Sequence, residues 1–138
     1  MARVRNWDVA VSQYIDTVIG NPFAYGETDC VTIAVRILES MCGDLDIPKL
    51  TYRTKFSALK AFSRHSIEKE LRNLGAVQVS RLQRYDFCVV HETGGFPEGV
   101  SIAMANNTRL VSNKESGVRR IPENAATTPH VILRIPHV

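Results

Sequence analysis

Pro22-Phe23-Ala24-Tyr25-Gly26-Glu27-Thr28-Asp29-Cys30 is the stretch on which the fold turns. Pro22 fixes φ, and Gly26 permits a tight bend. Thr28 or Asp29 can accept from the orphan N–H groups of a helix that starts immediately afterwards. That helix reads Cys30–Cys42, and Gly43 is its left-handed stop. Cys30 is therefore expected in the first turn. The partial positive charge of a helix N-terminus favours an anion, so a thiolate there has a lowered pKa, and unpaired N–H groups beside it can stabilise an oxyanion. Read only as a small apolar residue, the same cysteine is a packing group.

The helix is apolar on most sides. Cys30, Ala34, Ile37, Leu38 and Met41 form one stripe, and Val31, Val35 and Cys42 another. Such a helix is expected to be central and covered on both faces, with Arg36 and Glu39 at its solvent edge.

On the N-terminal side, Asn6 is expected to cap a helix over 7–19, with Trp7, Val11, Tyr14, Ile15 and Val18 on one face. Gly20-Asn21-Pro22 stops it. Trp7 and Tyr14 read as core residues. On the C-terminal side, 44–48 reads as a loop. Asp44 and Asp46 lack further carboxylates at ligand spacing, so a solvated turn is preferred to a calcium loop. Thr54 caps a short helix carrying Phe56, Leu59 and Phe62. Ser66 starts another, with Ile67, Leu71 and Leu74 inward and Gly75 closing it. His65, between them, reads as a surface or capping residue. The basic residues of this region, Arg53 to Arg72, are scattered like a solvated face.

After Gly75 the period changes to short β runs: 76–79, 87–90, 100–104, 109–111, 117–121 and 131–135. Gly94-Gly95, Asn106-Asn107, Asn113 and Pro122 supply the turns. A helical half (about 1–75) followed by an antiparallel half (about 76–138) is α+β, with the Cys30 helix packed on the sheet.

At 138 residues the chain is most simply one domain, and 44% hydrophobic residues suffice for a core. The net charge is +3, with no Lys/Arg block of the kind that forms a nucleic-acid arm, so no nucleic-acid partner is expected. No signal-peptide pattern and no apolar run long enough to span a membrane is seen. Three cysteines (Cys30, Cys42, Cys88) without a CxxC spacing argue against a disulfide framework and a zinc knuckle, and suit a reducing cytosol. No cofactor or metal is expected.

Phe23, Tyr25, Gly26, Asp29 and Cys30, in that order, resemble the loop and nucleophile of the NlpC-type, papain-like cell-wall peptidases. Arg84-Tyr85-Asp86-Phe87-Cys88-Val89-Val90 resembles that family's turn and first core strand, and Gly99-Val100-Ser101-Ile102-Ala103 its second. The chain as a whole resembles small phage tail proteins with the same loop, helix and sheet order, encoded among tail-tip genes. The resemblance implies a papain-like fold with Cys30 as nucleophile. Three departures bear on activity. Phe23 stands where the family usually has a tyrosine hydroxyl. Val31-Thr32 replace small polar residues. Gly99 occupies the position of the catalytic histidine. A thiol without a base is a poor acyl-transfer catalyst. His91, just past the first core strand, and His130, opening the last, are the candidates for a relocated base; His65 and His137 have no place in the pattern.

Two functions follow from the resemblance. One is a structural virion component of a tail tip or baseplate, made in the host cytoplasm, that uses a degenerate peptidase fold to dock other tail proteins. The other is a cysteine peptidase or amidase cutting peptidoglycan stem peptides during DNA entry, with Cys30 as nucleophile and His130 or His91 as base.

Overall fold

The computed structural model describes residues 3–43, 66–93 and 96–136. Three α-helices and six strands occur there: α1 (Trp7–Val18), α2 (Cys30–Cys42), α3 (Ile67–Asn73), β1 (Val77–Val79), β2 (Phe87–Thr93), β3 (Phe96–Met104), β4 (Thr108–Asn113), β5 (Gly117–Pro122) and β6 (Val131–Arg134). A short 3-10 turn, Glu123–Ala125, follows β5. The expected loop at 44–48, the Thr54 helix, His65, His137 and the Gly94-Gly95 turn lie outside the described residues.

The fold is α+β, as the change of period implies. The six strands form one antiparallel sheet in the order β1-β6-β2-β3-β4-β5. The chain's last strand thus enters between β1 and β2. Asn106 and Asn107 both adopt positive φ (62° and 53°) in the β3–β4 turn, which asparagine tolerates best among side-chain-bearing residues.

Alternation along the strands gives the sheet two different faces. Phe87, Val89, Val100, Ile102, Leu110, Val118, Val131 and Leu133 join the core with α1 and α2. From α2, Val31, Ile33, Ala34, Ile37, Leu38 and Met41 are buried, so the helix is covered on most sides as its composition demands. Trp7 and Tyr14 pack against this core as expected. The opposite face carries Arg109, 1% exposed, which lies between Glu123 and the Thr127 carbonyl. A buried guanidinium survives because its charge is paired and its donors are used.

Asn6 does not cap α1 with its side chain. It takes a left-handed conformation (φ 58°, ψ 27°), and its own carbonyl accepts from Ala10 N–H instead. The helix also ends one residue early, at Val18.

The segment after α1 is held by β5. Gly20 N–H donates to Val118 O at 2.8 Å, and Val118 N–H to Asn21 O at 3.0 Å. Gly117 makes this approach possible: a Cβ there would lie 2.3 Å from Asn21 O, at a φ of +70°. Its hydrogen atom in place of a side chain lets the strand come close enough to fix the start of the Cys30 loop.

Candidate functional site

The loop before α2 is built from its own side chains. Asp29, 4% exposed, is the N-cap: Oδ1 accepts from Thr32 N–H at 3.1 Å, and Oδ2 from Gly26 N–H and Thr32 Oγ1, both at 2.7 Å. Gly26 has φ +79°, the conformation that turns its N–H towards that carboxylate. Thr28 does not cap. Its hydroxyl accepts from Ala24 N–H and donates to Pro22 O, tying the loop across its width. Ser112 of β4 donates to Thr28 O and docks the loop on the sheet. Phe23 and Tyr25 meet edge to face at 4.9 Å, and Lys114 lies 5.3 Å from the Tyr25 ring centroid. Cys30 follows in the first helical turn, where the sequence reading places it.

Cys30 forms part of the wall of a cleft of about 300 Å³. Gly99, Ser101, Arg109, Ser112 and Arg119 share that wall. Gly99 therefore stands in the same cleft as the thiol. Neither His91 nor His130 lines it.

The expected lowering of the Cys30 pKa is reversed. Burial pushes the thiol up to about 11 from its ordinary 9.0, and the Asp29 carboxylate adds to the rise. Hydrogen bonds from the backbone N–H groups of Val100, Val31 and Cys30 itself oppose it and lose. A helix terminus is worth about 0.3–1 kcal/mol at an exposed site, less than the cost of withdrawing a thiolate from water.

His91 and His130 meet each other instead. Their ring centroids are 3.9 Å apart with planes 55° apart, and both residues are exposed. His130 is pinned by its N–H to Val89 O at 2.8 Å. Glu68 of α3 reaches the same place: one ligand atom from each of Glu68, His91 and His130 lies within 4.8 Å of the other two. Positions so far apart in the chain carry no spacing signal, so this cluster was not readable from the sequence.

The sequence matches the DUF6950 family, described as a domain of unknown function, over residues 2–129. The chain belongs to the DUF6950 family. No curated protein matches it. In this DUF6950 chain, no helix among the described residues is long and apolar enough to cross a membrane.

Cys88, on β2 and fully buried, is pushed up to about 11 by burial as well. The folded protein then holds this proton between pH 9 and 11 while the unfolded chain releases it. The resulting stability is fully present below about pH 9 and is lost as pH rises through 11. For Cys88 the displacement corresponds to roughly 2–3 kcal/mol. Urea unfolding at pH 7.5, 9 and 10.5 is expected to show a steep alkaline loss. Cys88→Ala should start lower but decline less steeply; equal slopes would contradict the assignment.

Proposed function

We propose that this chain is a structural component of a phage tail tip or baseplate, built on an NlpC-type, papain-like fold that has lost its catalytic pair. One observation carries the non-catalytic half of this reading. The thiol at the nucleophile position shares its cleft with Gly99, and burial keeps it protonated at neutral pH. Acyl transfer needs a thiolate and a base within hydrogen-bond reach. Placement in a tail is supported by the order of loop, Cys-bearing helix and antiparallel sheet, which the chain shares with the phage tail proteins it resembles. The partners are then neighbouring tail-tip or baseplate proteins, and the location is the virion.

The test has two arms. Antibody against the chain should label purified phage particles at the tail tip by electron microscopy. Purified protein incubated with peptidoglycan should release no more stem-peptide fragments than Cys30→Ala. Unlabelled particles would overturn the tail assignment. Fragment release that disappears in Cys30→Ala would instead establish the cysteine peptidase, and loss of release in His130→Ala or His91→Ala would be needed to name its base.

A further inference from the structure

The geometry points to a divalent-metal site at Glu68, His91 and His130, separate from the Cys30 cleft, with zinc the best-fitting ion. Each ligand comes from a different part of the fold: the first turn of α3, the middle of β2 and the bend that opens β6. Two imidazole nitrogens and one carboxylate oxygen form a donor set suited to zinc and its borderline neighbours, and poorly suited to calcium or magnesium, which prefer all-oxygen shells. Three protein ligands leave one tetrahedral position for water.

The distances are compatible with closure around an ion. The three donor atoms already lie within 4.8 Å of one another. Zinc bonds of about 2.0–2.1 Å in a tetrahedron bring ligand atoms to about 3.4 Å apart. No pair therefore has to close by more than about 1.4 Å, a movement that side-chain rotation at two exposed histidines can supply.

The supporting contacts orient the ligands. Glu98, the cross-strand partner of His91, accepts from Ile67 N–H at 2.9 Å, and from Ser66 Oγ and Glu68 N–H at 3.3 and 3.4 Å. It thereby fixes the first turn of α3 against β3, the strand paired with the one that carries His91. Arg72 Nε donates to Glu68 Oε2 at 3.1 Å, so Oε1 is the natural donor to the ion. Groups around metal ligands commonly hold them in this way. Metal binding would clip α3 to the β2–β6 side of the sheet, joining segments that the chain otherwise connects only through long stretches.

The test uses the full chain, stripped with a chelator and titrated calorimetrically with zinc chloride alone, then with cobalt chloride for its visible spectrum. One zinc per chain is expected, with a rise in melting temperature. His91→Ala, His130→Ala and Glu68→Gln should each weaken binding at least about tenfold. Cys30→Ala should bind as the wild type does, and the cobalt complex should lack thiolate charge-transfer bands. Melting curves without metal identify any variant that fails to fold; at two exposed histidines none should. Absent zinc binding, or binding unchanged in His91→Ala and His130→Ala, would overturn the site. So would binding lost in Cys30→Ala. None of these outcomes depends on the tail assignment.

Discussion

Arg134→Met is expected to lower the unfolding free energy by about 3–5 kcal/mol, because it leaves a buried carboxylate without its cation. Asp86 is fully buried at the entry to β2. Arg134 Nε and Nη2 donate to its two oxygens, each at 2.8 Å, and Gln83 N–H donates at 2.8 Å. Arg134 also donates to Arg81 O, so one side chain closes the turn that leads into β2. Methionine retains much of the stem and removes the charge. Packing loss alone is smaller than this effect, and a second variant separates the two. In Asp86→Asn/Arg134→Met neither charge remains, so most of the loss should be recovered. Urea unfolding measures all three proteins. A loss under about 1 kcal/mol for Arg134→Met would mean that the pair behaves as a solvated surface pair.

Gly99→His is expected to raise the alkylation rate of Cys30 at pH 7 by about 100-fold or more. The thiol stands at about 11. Returning it only to its ordinary 9.0 multiplies the thiolate fraction by about 100, since each pKa unit is tenfold. An imidazole on the wall of the same cleft can do this as a proton acceptor and, once protonated, as a neighbouring cation. His91→Ala and His130→Ala should leave the rate unchanged, because neither residue lines the cleft. An unaltered rate in Gly99→His, with folding intact, would mean that a side chain at position 99 does not reach the thiol.

The sequence showed most plainly where local chemistry and tertiary packing agree. Asp29, Cys30 and Gly43 bound α2 because the cap and the stop are local signals, and the apolar stripes of that helix name five of its buried residues, while Ile33 is buried outside them and Cys30, Val35 and Cys42 are only half-buried. The six β runs matched the six strands in number and order, although β2 and β3 continue further than their apolar cores, through His91 and Glu98. Failures arose where a distant segment decides the outcome. The helix N-terminus argues for an acidic Cys30, but β3 encloses the sulfur and burial wins. Asn6 has the right side chain for a cap and the wrong backbone conformation to use it. Arg109 reads as an ordinary strand residue, and only the turn after β5 reveals why it can be buried. His91 and His130 come together through sheet order, because β6 inserts beside β2, and Glu68 reaches them from α3.

The most direct test of a silent nucleophile is the rate of Cys30 alkylation against pH, with Cys30→Ala to subtract the other two thiols. The expected profile is slow at neutral pH, rises only towards pH 11, and is indifferent to His91→Ala and His130→Ala. A thiol that reacts readily below pH 8, and loses that reactivity when either histidine is removed, would contradict the proposed non-catalytic role and make Cys30 a working nucleophile.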